Sequence, residues 1–357
     1  MPFNLRHAAF AAAVGFCALS GAAMAETFKL TAGASHPPIV PWVGVMKDHI
    51  VPEAVKRAKA VGHEIRWTEA YAGALFNAAN ALEGVESGLA DLAWVGTIFE
   101  PSKLPLHNVQ FYAPFATGDV RIVTEVGRQL HERIPELHQQ WAKYKNIYLG
   151  AHGDGSYHLV TKFPVTKLED LKGKKLLAGG PVARWLENTG AIVIASSYPE
   201  FYTSLQTGVA DGAVMTITGI LPFKIHEVAP YVTLADLGAP ITGALTMNKR
   251  TFDSLPPPMQ QIFRDLGKDY SRMVADKVAD NEKNFLVILN KQGAKISTLA
   301  PSERTRWVEG LPDIASEWVM RNEAPGMPAG NVMRTFMELV RAHGGQPTRA
   351  WGKDLKK

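Results

Sequence analysis

The sequence predicts an α/β protein made of two similar lobes that face one another, each built on a mostly parallel sheet. Three observations lead there. Strand-like and helix-like stretches alternate along the chain, which is the periodicity of parallel βαβ units. The stretch from Ser196 to Met215 reads as helix, tight turn and buried strand. The same phrase also occurs earlier: Gly88-Leu89-Ala90-Asp91-Leu92-Ala93-Trp94-Val95 parallels Gly208-Val209-Ala210-Asp211-Gly212-Ala213-Val214-Met215. Both copies follow a helical apolar pattern, and the 120-residue offset is too long for a solenoid repeat.

Size and composition agree with two lobes. The chain has 357 residues, of which 46% are hydrophobic, enough for a large core and about two domains. The net charge of +4 is spread along the chain without a basic block, so no nucleic-acid partner is expected. Residues 1–25 read as a signal peptide: Arg6 and His7 precede an apolar run, and Ala23-Met24-Ala25 offers a small-x-small cleavage site. Cleavage after Ala25 would deliver the chain to the periplasm and remove Cys17, the one cysteine. No later apolar run is long enough to span a membrane.

The elements follow in order. Phe28 to Ala32 alternates as a first strand, and His36-Pro37-Pro38 forms the loop after it. Val40 to Ala60 reads as an amphipathic helix broken or kinked near Pro52, and His63 to Glu69 as the second strand. Leu75, Ala78, Leu82, Val85 and Leu89 mark the next helix, which ends at Gly88 before a strand. Asp119 caps a long helix interrupted by Pro135. Strands at Ile147–Ala151 and His158–Thr161 flank the expected first crossover near Gly155. Leu176 to Ala178 is a strand, Gly179-Gly180-Pro181 opens a helix, and Ile192 to Ala195 is the next strand. Ser197-Tyr198-Pro199-Glu200 is a capping box with Pro in the first turn. Tyr231–Leu237 and Gly243–Met247 return the chain to the first lobe; Phe252–Asn290 and Glu303–His343 are helical, and Thr348–Lys357 forms a loose tail. The first lobe is thus expected over 26–154 and about 240–285, the second over 155–239 and about 286–350, with the ligand cleft between them.

Enzyme signatures do not emerge. No nucleophile elbow, phosphate-binding Gly loop or H-E-x-x-H occurs, and Gly179-Gly180 lacks the rest of a dinucleotide fingerprint. His152-x-Asp154-x-x-x-His158 has metal-ligand residue types at a spacing that matches no specific zinc or iron pattern. No metal, cofactor or catalytic residue is expected. Ligands of open α/β sheets sit at the carboxyl ends of strands. That rule selects His36 in the first loop, Glu69 at the end of the second strand, Trp94, and Met215 with Thr216.

Pro199, Glu200, Tyr202, Leu205, Gln206, Gly208, Val209, Asp211 and Gly212 spell P-E-x-Y-x-x-L-Q-x-G-V-x-D-G. This motif closely resembles the hallmark of the TRAP-transporter solute-binding proteins of the dicarboxylate-binding (DctP) type. The resemblance extends over His36-Pro37, Glu83-Gly84 to Ala93, Leu168-x-x-Leu171-Lys172-Gly173-x-Lys175, Met247-Asn248 and Leu255-Pro256. It implies a two-lobed periplasmic binding protein, a long helix crossing both lobes, and delivery of a ligand to ion-gradient-driven membrane subunits. The family's carboxylate-binding Arg falls on Leu177, a second basic position near Tyr157, and an Asn at Met215. A buried anion without a paired cation is costly. The expected ligand is therefore an aromatic or otherwise bulky organic acid, packed by Trp94, Tyr157, Leu177 and Met215. Polar help would come from backbone N–H groups after Gly180 or Ser197, from Arg184, or from Lys162. A binding module feeding a sensor receptor and a secreted α/β enzyme are the other classes open at this point.

Overall fold

Eleven strands fall into two sheets in the computed structural model, which describes residues 26–353 and Leu355. The signal segment and its cleavage site lie outside the described residues. The strands are β1 (Thr27–Gly33), β2 (Glu64–Ala70), β3 (Leu92–Val95), β4 (Asn146–Gly153), β5 (Tyr157–Thr161), β6 (Lys175–Ala178), β7 (Ile192–Ala195), β8 (Gly212–Thr216), β9 (Tyr231–Leu234), β10 (Ile241–Asn248) and β11 (Lys295–Thr298). The first sheet has the order β2-β1-β3-β10-β4 and the second β11-β9-β5-β8-β6-β7.

Each sheet is mostly parallel, as expected, with one reversed strand that makes it mixed. β10 runs antiparallel to both β3 and β4, and β5 runs antiparallel to both β8 and β9. These reversals arise where the chain passes between sheets. β4 ends in the first sheet and β5 begins the second; β9 lies in the second and β10 in the first. The two crossings run side by side. The Asp154 N–H donates to Pro240 O (2.9 Å), Tyr157 N–H to Gly238 O (3.1 Å) and Leu237 N–H to Tyr157 O (2.9 Å).

A third connection is the 35-residue helix Pro257–Lys291, roughly 50 Å long. Phe263, Leu266, Tyr270, Val274 and Val278 pack into the core under the first sheet. Leu289, with Phe285 and Leu286 beside it, joins the core of the second. The helix thus crosses both lobes.

Local signals behave as the residue chemistry requires. Asp119 accepts the N–H groups of Arg121 (2.7 Å) and Ile122 (3.4 Å) and starts Val120–Arg133; Pro135 starts a separate helix, Pro135–Lys143. Gly88 and Gly208 both end their helices in the left-handed region, at φ 85° and 80°. Before Pro52 the helix does not break. It widens into a π-helical stretch, Met46–Ile50, between α-helical Pro41–Val45 and Val51–Ala60. A wide turn accommodates the proline ring and its missing N–H without ending the helix.

The end of the chain also differs from expectation. Trp351 is buried and donates its indole N–H to Pro114 O (2.6 Å), and Thr348 N–H donates to Phe115 O (3.1 Å). Helix Ala329–Ala342, assigned from sequence to the second lobe, shares one core with Val123, Val126 and Leu130 of Val120–Arg133 and with Leu176 and Trp185. No helix of the described residues is long and apolar enough to cross a membrane.

Candidate functional site

The face between the sheets holds a small cavity, with about 40 Å3 open to the centres of water-sized molecules. The first sheet's side supplies His36, Trp42, Trp94, Ile98 and Phe99. The second contributes Gly179, Ser196, Ser197 and Tyr198. The crossings bring Asp154, Tyr157 and Thr242 to the same cavity. Local sequence explains these placements. His36 follows β1, Pro41 starts the helix that carries Trp42, and β3 is buried along its whole length, so Trp94 turns inward. Tyr198 opens helix Tyr198–Gln206 just past the end of β7, where the Ser197–Glu200 capping box holds it.

One wall is aromatic. The His36 ring sits edge-on to Trp42 and Trp94, with centroids at 5.6 and 5.1 Å. Behind them His152 stacks on Trp42 at 4.6 Å. Trp94 Nε1 donates to His152 Nδ1 at 3.2 Å, and the Thr242 hydroxyl lies 3.0 Å from the same nitrogen. Burial pushes His36 down to about 4 and His152 to about 3, so both rings are neutral near pH 7.

The floor is polar. The Asp154 carboxylate accepts the Gly155 N–H (2.8 Å) and the Thr218 hydroxyl (3.2 Å). Thr218 and Thr216 hydroxyls are 3.0 Å apart, and Thr216 N–H donates to the Tyr198 phenol oxygen at 3.1 Å. The phenols of Tyr157 and Tyr198 share a hydrogen bond. Burial pushes Asp154 up to about 6 and holds both phenols above their ordinary range. No Lys or Arg lines the cavity among the described residues.

His36, Trp94 and Tyr157 therefore come together as expected from the sequence. Thr216 lies directly behind the wall, joined to it through Tyr198. Six other residues expected at the site do not line this cavity. Met215 and Leu177 are fully buried in the core beyond the second sheet, with Phe201 and Leu205, and do not line the cavity. The pleat explains this: Leu176 and Val214 share a core on the opposite side, and on β8 Thr216 alternates away from Met215. Glu69 is exposed on edge strand β2, where its carboxylate accepts the Tyr71 hydroxyl (2.7 Å). Arg184 points away from the cleft and pairs with Glu317 (2.7 Å) and Glu187 (3.1 Å). Gly180 packs against Ile98, and its neighbour Gly179 lines the cavity instead. The φ of Gly180 is 50°, and a Cβ there would fall 2.7 Å from Ile98 O, so the site needs glycine for packing between the lobes. Lys162 is spent on Ala210 O (3.0 Å).

The three metal-type residues diverge. His158 turns its Nδ1 to the Asp236 N–H (3.1 Å), away from His152. Among the described residues no three His, Cys, Asp or Glu side chains form a metal-holding group. Sequence reasoning missed Trp42, Tyr198 and Thr242. Tyr198 had a signal, since it starts a helix at the carboxyl end of a strand. Trp42 follows the His36 loop by a few residues. Thr242 had none, because its place depends on the crossing.

The family model for DctP, "Bacterial extracellular solute-binding protein, family 7", matches residues 56–321. A solute-binding protein of Albidiferax ferrireducens is 28% identical over 147 residues, 40% of this chain and 44% of that protein. The alignments span only about half the length or less of the first curated relatives. A TRAP solute-binding protein from Rhodoferax ferrireducens, solved with copurified benzoate, superposes with a TM-score of 0.79 at 19% identity over 88% of this chain and 98% of that one. A marine metagenome TRAP solute-binding protein specific for aromatic acids, solved with metahydroxyphenylacetate, gives 0.77 at 19% identity over 89% and 99%. At such identities the structural likeness establishes the fold.

Proposed function

Because this chain belongs to the DctP family of bacterial extracellular solute-binding proteins, we propose that it captures a small organic solute in the periplasm and hands it to TRAP membrane subunits. Those subunits would be driven by an ion gradient. The observation that carries this reading is the aromatic-walled cavity at the two crossing strands, lined from both sheets. A ligand there touches both lobes at once, and only such differential contact makes closure favourable. The crossings and the long helix form the hinge, which sets the lobe boundaries near Asp154–Tyr157 and Leu237–Ile241.

The ligand proposed has a bulky, aromatic or otherwise apolar body, organic acids included. Solved relatives that hold benzoate and metahydroxyphenylacetate support an aromatic body. The test is a thermal-shift screen of the purified protein against organic acids, aromatics, amines, polyols and sulfonates, with small-angle scattering on each hit. A ligand that binds only the folded state raises Tm. A hit accompanied by a smaller radius of gyration is the expected result. Chemical turnover of a hit, or binding without compaction for every hit, would overturn the reading.

A further inference from the structure

We propose that the ligand of this cavity carries a positively charged nitrogen, seated among Trp42, Trp94, Tyr157 and Tyr198 and facing the Asp154 carboxylate. The inference rests on the solute-binding reading and names the ligand's charge.

Asp154 is 2% exposed, lies in the crossing between lobes, and lines the cavity. Its hydrogen-bond donors are neutral: the Gly155 N–H and the Thr218 hydroxyl. Desolvating a carboxylate is costly, and neutral donors offset only part of that cost. No lysine or arginine among the described residues lines the cavity to complete the pairing. The nearby histidines are held neutral by burial, so they bring no positive charge at neutral pH.

A simple carboxylate ligand would place a second negative charge beside Asp154, and like charges at such distance disfavour one another. A cation reverses that sign and supplies the missing partner. The rest of the wall suits it. Indole and phenol rings present negative faces, and rings grouped around a small cavity are a recurrent solution for alkylammonium recognition. His36 and Phe99 add further aromatic surface, their rings 6.5 Å apart and near parallel. An organic acid is accommodated when it is a zwitterion, because the nitrogen then faces Asp154 and the ligand's carboxylate can lie outward.

The experiment is titration calorimetry on the purified protein at neutral pH. The cationic probes are choline and benzyltrimethylammonium, and glycine betaine is the zwitterion. 3,3-Dimethylbutanol is the uncharged isostere of choline, and benzoate and phenylacetate are the simple acids. At least one cationic or zwitterionic probe should bind about tenfold or more tighter than the uncharged isostere. Asp154→Asn should lose about tenfold of that affinity. Trp94→Phe, which keeps a ring but weakens its negative face, should lose several-fold for the cations and little for the isostere. It guards against an Asp154→Asn protein that fails to fold. Binding of benzoate or phenylacetate with no heat from any charged nitrogen would overturn the inference while leaving the solute-binding reading intact. No heat from the cationic and zwitterionic probes, or unchanged cation affinity in Asp154→Asn, would also overturn it. Failure of every hit in the wider screen to compact the protein would instead sink the solute-binding reading itself.

Discussion

Trp94 donates its indole N–H to Nδ1 of His152 across 3.2 Å, and this contact sets the histidine's tautomer. Indole nitrogen can only donate, so Nδ1 accepts and the ring proton sits on Nε2. Thr242, 3.0 Å from the same Nδ1, reinforces the choice. Nε2 is buried without a partner. Nitrogen-15 NMR should therefore show His152 neutral and protonated at Nε2 at pH 6, well above its depressed pKa of about 3. A charged His152 at that pH would contradict the burial argument. Trp94→Phe should cost about 0.5–1.5 kcal/mol in urea unfolding through this contact, because His152 Nδ1 loses one of its two donors and keeps Thr242.

Buried histidines make the protein acid-sensitive. His36 and His158 are lowered to about 4, His107 and His152 to about 3, and His131 well below its usual value, in each case chiefly by burial. The unfolded chain takes up protons near 6.5 that the native state refuses, so stability is present above that pH and is lost as pH falls toward the native values. Each such histidine contributes on the order of 1 kcal/mol of loss at one pH unit below 6.5. Urea midpoints measured from pH 7 to 5 should fall, and His131→Gln should flatten the decline. A decline of unchanged steepness in that variant would assign the acid sensitivity elsewhere.

Glu282 has the opposite sign. It sits on the long helix against the crossing, where a Cβ on Gly155 would fall 1.9 Å from its Oε1. Burial first, then the negative charges of Asp154 and Asp236, push its carboxyl up to about 8. The native state keeps a proton that the unfolded chain releases near 4.5, so this contribution is present at low pH and is lost as pH rises toward 8. Glu282→Gln should gain stability over the parent as pH rises from about 5 to 8. An equal difference at both ends would show that Glu282 is already ionised. Gly155→Ala should destabilise the hinge by about 1–3 kcal/mol through overpacking.

Leu177 and Thr216 separate core from site. Leu177→Arg places a guanidinium in the core beside Phe201 and should cost about 3 kcal/mol or more, with no gain in carboxylate binding. Thr216→Val removes the hydroxyl beside Tyr198 and Thr218 and should cost about 1–2 kcal/mol while weakening ligand affinity. If Leu177→Arg folded normally and bound small acids, the assignment of its side chain to the core would be wrong.

Local chemistry was legible in the sequence. The Ser197–Glu200 capping box, the Asp119 cap, the helix start at Pro135 and the paired stops at Gly88 and Gly208 are each decided by neighbours within a few residues. The site was partly legible, through His36, Trp94 and Tyr157 at strand ends. Trp42 and Thr242 were not, because what they touch arrives from distant parts of the chain. The error at Met215 was a single step in the pleat: one position later, at Thr216, the side chain faces the other way.

The sequence by itself determined the two-lobed α/β plan, which follows from periodicity, and the family, which the P-E-x-Y-x-x-L-Q-x-G-V-x-D-G motif resembles; the helix that joins the lobes was what that resemblance implied. Tertiary structure decided the rest. It set the mixed sheets, because strand direction depends on where the chain crosses between lobes. It also set which face of β6 and β8 meets the cavity and which meets the core, and it brought Asp154 to a ring of aromatic side chains with no cation lining that cavity among the described residues. Charge balance in a cleft is a property of groups far apart in the chain, here from His36 to Thr242, and only folding puts them within reach of one ligand.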